Sequence, residues 1–180
     1  MFPEDALRAS RERVADKGFD LRWRFNPGAS EAQLAACERG IGTALPSDLR
    51  SFLRDSDGAA IEEHIVGELV PDQGDHIFLL SCDGIADRTA YLRTFAREEL
   101  GGVDLEQFVA FADYQDGNYV LLDLRPGHGY VIDGWHEEIA YWAAAAPIAA
   151  SFTDFAAKVL AALAAGKNAR YWIPPPQPER

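Results

Sequence analysis

Two apolar runs, Phe108-Val-Ala-Phe-Ala112 and Tyr119-Val-Leu-Leu-Asp-Leu124, stand on either side of Tyr114-Gln-Asp-Gly-Asn118. Short runs rich in β-branched and aromatic residues read as strands. A central Asp-Gly-Asn supplies residues that tolerate positive φ in a hairpin loop. Arg125-Pro126-Gly127 makes another turn, and His128 to Trp135 carries the pattern on through Tyr130, Val131 and Ile132. Three successive strands joined by short turns imply an antiparallel sheet.

A sheet of this kind needs a cover, and the helical periodicities supply one. Ser151 to Ala165 places Phe152, Phe155, Val159, Leu160 and Leu163 on one stripe, capped by Ser151 or Thr153 and ended by Gly166. Ser30 and Gln33 have capping-box spacing ahead of Leu34, Cys37 and Ile41, and Gly40 and Gly42 close that helix. Leu45-Pro46 leads to a second helix, capped by Ser47, with Leu49, Phe52 and Leu53 inward and Asp57-Gly58 at its end. Asp5 to Lys17 reads as a charged helix stopped by Gly18, with Leu7 and Val14 on one face. Phe19, Leu21, Trp23 and Phe25 alternate with polar residues as a strand does, up to the turn Asn26-Pro27-Gly28. Ile65-Val66 and Ile77 to Leu80 read as strands around Pro71 to Asp75, and Asp87 to Leu100 as a helix with Tyr91, Leu92 and Phe95 inward. The predicted fold class is α+β: an antiparallel β-sheet packed by an N-terminal helix pair and a C-terminal helix. It forms a single domain over 1–180, with its core at about 30–165. Trp172-Ile-Pro-Pro-Pro-Gln-Pro gives residues 167–180 an extended, Pro-rich character.

Charge and cysteine content narrow the function. A net charge of −12 repels phosphate backbones, which argues against nucleic acid as partner; such acidity commonly serves solubility, and its sharper reading is steering toward a basic protein. Hydrophobic residues make up 48% of the chain, enough for a core without metal or disulfide staples. The two cysteines, Cys37 and Cys82, form no CxxC pair and point to a reducing, cytoplasmic setting. The charged N-terminus has no signal-peptide h-region. The longest apolar stretch, Ile139 to Ala150, is broken by Pro147 and is too short to span a bilayer.

No catalytic or metal constellation emerges. His64, His76, His128 and His136 match no ligand spacing, and His136-Glu137-Glu138 places ligand-type residues side by side, where they diverge. Asp113 to Asn118 superficially resembles a calcium loop. Its alternate positions fall on Asp113, Gln115 and Gly117, however, and Leu124 stands at the twelfth place, so a hairpin turn accounts for it. Cys82, in Ser81-Cys82-Asp83, could be a thiol nucleophile, but beside an apolar run a small cysteine is more often packed core. No cofactor is expected. The aromatics Tyr114, Tyr119, Tyr130, Trp135, Tyr141 and Trp142 cluster near the sheet, and most read as core. Tyr114 and Trp135 fall at turn tips, where exposed rings would anchor a partner inside an acidic rim. The candidate partner-binding residues are Asp113, Tyr114, Asp116, Asn118, Asp133, Trp135, Glu137 and Glu138.

Leu34-(x)6-Ile41-(x)3-Leu45-Pro46-Ser47-Asp48-Leu49-Arg50-Ser51-Phe52-Leu53, followed by Asp57-Gly58, resembles the N-terminal signature of the SUKH superfamily of Smi/Knr-like domains. The same likeness runs through Phe108-(x)2-Phe111-(x)4-Asp116-Gly117-Asn118-(x)2-Leu121-(x)-Asp123-Leu124. It continues in Asp133-Gly134-Trp135-His136-Glu137 and Ser151-Phe152-(x)2-Phe155. The chain departs from the pattern at Gly58-Ala59, where the family has a double glycine, and over Glu62 to Gly102. The resemblance implies a non-catalytic protein-binding module. Bacterial members are mostly immunity proteins that neutralise a cognate toxin, often a nuclease, and fungal members are scaffolds in cell-wall signalling. The expected partner is therefore a basic toxin domain, with a regulatory scaffold as the alternative. A small hydrolase using the middle segment is the rival from another class. The sequence leaves the oligomeric state open.

Overall fold

In a computed structural model, the described residues are 4–15, 19–65 and 76–165. Among them one antiparallel sheet holds seven strands in chain order. These are β1 (Phe19–Phe25), β2 (Ala59–Ile65), β3 (His76–Leu79), β4 (Phe108–Asp113), β5 (Tyr119–Asp123), β6 (Tyr130–Gly134) and β7 (Pro147–Ala149). Helices α1 (Glu4–Ala15), α2 (Glu31–Ile41), α3 (Ser47–Asp55), α4 (Cys82–Glu99) and α5 (Phe152–Ala164) are inserted between or around the strands, and a 3-10 segment, kinked at Glu138, spans His136–Ala144. The α+β expectation is met, with the helix pair α2–α3 and the closing helix α5 in place. The Pro-rich tail, Val66, the Pro71 to Asp75 loop and the ends Lys17 and Gly18 of the first expected helix lie outside the described residues.

The local causes are legible residue by residue. In α2, Ser30 accepts from the Gln33 backbone N–H while the Gln33 side chain accepts from the Ser30 N–H, and Gly42 caps the other end at φ 74°. At α3 the cap is not Ser47, because Pro46 occupies that position and makes no side-chain cap. The next residue, Asp48, does the work instead, accepting from the Leu49 N–H (2.9 Å) and from the Thr153 N–H of α5 (2.9 Å). The Thr153 donor is one of the free N–H groups of the first turn of α5, whose N-cap is Ser151, bonded to the Asp154 N–H at 3.1 Å.

Asp57 and Gly58 join two elements. Asp57 accepts from the Cys82 N–H (2.6 Å), so it and Ser81, which accepts from the Gly84 N–H, together satisfy the start of α4. Gly58 sits at φ 87°, and a Cβ there would lie 2.8 Å from the Leu79 carbonyl oxygen.

The sheet separates two apolar clusters. On one side Leu34, Leu49, Phe52, Phe155 and Val159 pack with Val109, Phe111, Val120 and Leu122. On the other, Leu92 and Ala96 of α4 and Ile139 and Trp142 of the 3-10 segment pack on Phe108, Ala110, Tyr119, Leu121 and Ile132. A β-bulge falls between Ala110 and Ala112, which pair with Leu121 and Val120. The extra residue, Phe111, meets Phe152 and Phe155 edge-on, with centroids 5.7 and 5.2 Å away.

Three expectations are corrected. β2 begins at Ala59, six residues before Ile65, because Ala59 to Ile65 pair with Phe25 to Phe19 in unbroken register. α4 begins at Cys82, not Asp87. Within it Tyr91 faces outward at 56% exposure while Leu92 is buried, since neighbours on a helix point about 100° apart.

Candidate functional site

The β4–β5 loop and the 3-10 segment meet at one end of the sheet. Most of the candidate residues are there, in two different roles.

Three of them are buried. Tyr114, expected at an exposed turn tip, is 7% exposed and belongs to the α5-side cluster. The bulge is the reason. It places both Phe111 and Ala112 on that side, and Tyr114, two residues on from Ala112, follows. Asp113 is turned to the opposite face, beside Arg88 of α4 (3.6 Å), and its other oxygen accepts from the Gln115 N–H at 2.6 Å. Asn118 is 3% exposed. Its side-chain oxygen accepts from the His136 N–H at 2.8 Å and lies 2.8 Å from His136 Nδ1. These three build the site and are not available as contacts. The loop itself turns at Gln115 (φ 61°) and Gly117 (φ 90°), with Asp116 accepting from the Asn118 N–H.

The remaining candidates lie nearer solvent. Asp116, Trp135, Glu137 and Glu138 are exposed, and Asp133 is half-buried. Asp133 pairs with Val120 and so sits on the α5 side of the sheet. Trp135 is 39% exposed. Its indole Nε1 donates to Glu137 Oε2 at 3.3 Å, and its ring stacks on His136 with centroids 6.1 Å apart. Sequence reasoning left Tyr141 out of the set, yet at 70% it is the most exposed large aromatic among the described residues. The available signal was its neighbour: Trp142 takes the inward position, donating its indole N–H to the Trp135 carbonyl (3.0 Å).

A second residue missed from sequence is Asp123, which has no exposed surface. It accepts from Arg125 Nε and Nη2 (2.9 and 2.6 Å), from the Arg125 N–H (3.1 Å) and from His128 Nδ1 (2.8 Å). Burial by itself would push this carboxyl up. The hydrogen bonds from Arg125 and His128 outweigh burial and hold it below the ordinary carboxylate range. Arg125 also donates to the Ala143 carbonyl (2.9 Å), and its guanidinium lies 5.2 Å from the Phe108 ring centre. The 3-10 segment is therefore held at both ends from β5: by Asn118 at His136, and by Asp123, through Arg125, at Ala143. Between those ends Ile139 and Trp142 are sunk into the core.

Other chemistry is thin. Cys37 and Cys82 are free and buried. Burial pushes the Cys37 thiol up to about 11, and burial with a hydrogen bond to Asp57 pushes Cys82 up as well, which makes both poor nucleophiles. Among the described residues no group of three or more His, Cys, Asp or Glu side chains could hold a metal ion. His128 opens on a shallow groove of about 360 Å³ bordered by Tyr130, Pro147, Ala149, Asp154 and Lys158, with no Ser, Thr or Cys on its lining. No helix among the described residues is long and apolar enough to cross a membrane.

A meandering antiparallel sheet with helices on both faces, and a clamped surface segment at one end, defines an α+β domain whose distinctive feature is a presented surface. The model of the SMI1 / KNR4 family (SUKH-1) matches residues 28–158. The chain belongs to that family. No curated protein matches it.

Proposed function

We propose that this chain is a non-catalytic, cytoplasmic protein-binding module that neutralises a cognate toxin by stoichiometric occlusion. Membership of the SMI1 / KNR4 family is consistent with an immunity or regulatory role. The observation that carries the reading is the ledge formed by Trp135 and the clamped 3-10 segment beside the β4–β5 loop. Trp135 and Tyr141 stand exposed among Asp116, Glu137 and Glu138 on a segment fixed at both ends. An aromatic anchor inside a charged rim suits a protein partner, and the net charge of −12 suits a basic one, such as a nuclease with a cationic substrate groove. The same charge disfavours nucleic acid and anionic membrane surfaces as partners.

The test is co-purification with the product of an adjacent toxin gene. A 1:1 complex that forms at low salt and weakens as salt rises supports the reading. Absence of a complex at low salt with every neighbouring candidate overturns immunity and leaves the scaffold role.

A further inference from the structure

We propose that Trp135 and Glu137 form a subsite for an arginine side chain of the partner. This deepens the protein-binding reading and rests on it.

Three observations lead to arginine and not to a generic cation. The exposed indole of Trp135 presents a π surface, the preferred platform for a guanidinium. Glu137 Oε2 accepts from the indole Nε1 at 3.3 Å, so a carboxylate sits at the edge of that same ring. A planar guanidinium laid on the indole would extend its N–H donors sideways, toward that edge. It could then stack and pair at once, which the compact ammonium of lysine cannot do. The third observation is the burial pattern of the 3-10 segment. Ile139 and Trp142 are buried, while Glu138 and Tyr141 are exposed. Glu138, whose φ of −113° kinks the segment, and Tyr141 are both turned to solvent, which leaves a second carboxylate and a second ring exposed on the same short segment.

That segment is also pre-formed. The Asn118–His136 bond and the Arg125–Ala143 bond fix the backbone from which these side chains project. Less ordering is then left to be done on binding, so a single residue contact can be specific as well as attractive.

The experiment titrates the full chain with hexa-arginine and, separately, hexa-lysine at equal ionic strength, following the indole Nε1–H resonance of Trp135, assigned with Trp135→Phe. Hexa-arginine is expected to bind about two- to fivefold more tightly than hexa-lysine, the advantage of a stacked guanidinium at an exposed site. Glu137→Gln, which leaves the ring in place, should abolish that preference. Trp135→Ala, followed by isothermal calorimetry because it lacks the reporter indole, should weaken hexa-arginine binding, with circular dichroism confirming the fold. Equal binding of the two peptides, or a Trp135→Ala protein that binds hexa-arginine like wild type, overturns the subsite. If the adjacent-gene complex forms undiminished with Trp135→Ala, the subsite fails and the binding module stands. If wild type forms no such complex, the toxin reading itself fails.

Discussion

Replacing Asp123 with Asn removes one negative charge and keeps the shape. It should cost far more than a surface carboxylate would. The carboxylate is fully buried and collects four donors: two from the Arg125 guanidinium, one from the Arg125 backbone and one from His128. Breaking a buried ion pair by removing one partner costs roughly 3–5 kcal/mol, because the other charge is left behind. Arg125 is only partly buried, at 28% side-chain exposure, so water can recover some of that loss. The expected destabilisation at pH 7 is therefore about 2–3 kcal/mol. With a urea m-value of about 2 kcal/mol/M for a chain of this size, the unfolding midpoint should fall by roughly 1–1.5 M.

The pH dependence has a definite sign. The folded carboxyl is held below its ordinary range, so its stabilisation is fully present above about pH 4, where the unfolded group is ionised, and is lost as pH falls through the folded value. The gap between wild type and Asp123→Asn should therefore narrow as pH drops from 5 toward 3, where a protonated Asp resembles Asn. Urea titrations of both proteins across that range measure it. A midpoint shift under about 0.3 M at pH 7, or a gap that stays constant down to pH 3, would refute the role given to Asp123. Hydrogen exchange supplies a local readout. Amides of the 3-10 segment near Ala143 should exchange faster in the variant, because Arg125 loses the partner that aims it at the Ala143 carbonyl.

Two further outcomes follow from other sites. Gly58→Ala puts a Cβ 2.8 Å from the Leu79 oxygen at a φ of 87°, and should lower stability by about 1–3 kcal/mol, read as a melting-temperature drop of roughly 2–12 °C. Cys37, its thiol pushed up to about 11, and Cys82, also pushed up, should be inert to a disulfide reagent such as DTNB at pH 8 while the protein is folded; both should react in urea, and rapid labelling of either in the native state would contradict their burial.

The fold was legible where local chemistry and tertiary packing agree. The β4–β5 hairpin follows from two β-rich runs around a polar turn, α2 from its capping box, and α5 from the stripe of Phe152, Phe155 and Val159. It was illegible where register decides. Ala59 and Ala60 have little intrinsic strand preference and become a strand because β1 lies alongside. Gly84 masked the start of α4, which the side chains of Ser81 and Asp57 secure. Ile139 to Ala150 reads as one apolar stretch broken at Pro147, and it divides there into a 3-10 segment and the short strand β7, because β6 offers an edge to pair with. Tyr114 misled for a related reason. A bulge changes the sidedness of every residue after it, and no composition announces one.

The candidate residues sort by depth in a way that sequence polarity alone cannot give. Asp113, Asn118 and Asp123 are as polar as Asp116, Glu137 and Glu138, but the first three are buried and the last three exposed. Asn118, just before β5, and Asp123, its last residue, hold one short segment, Asn118 directly and Asp123 through Arg125. A 3-10 stretch has poorer hydrogen-bond geometry than an α-helix and rarely runs beyond a few residues unaided. Here two short 3-10 pieces meet at a kink at Glu138, and the segment they form is tied to the sheet near both ends with two side chains buried beneath. Buried polar groups of this kind add little net stability for what they cost to desolvate, but they fix one conformation where an apolar contact would permit several. For a surface whose task is to meet a partner, that restriction is the useful quantity. Side chains held in place before the encounter lose less freedom in it, so the polar residues beneath the ledge would contribute to affinity without touching the partner.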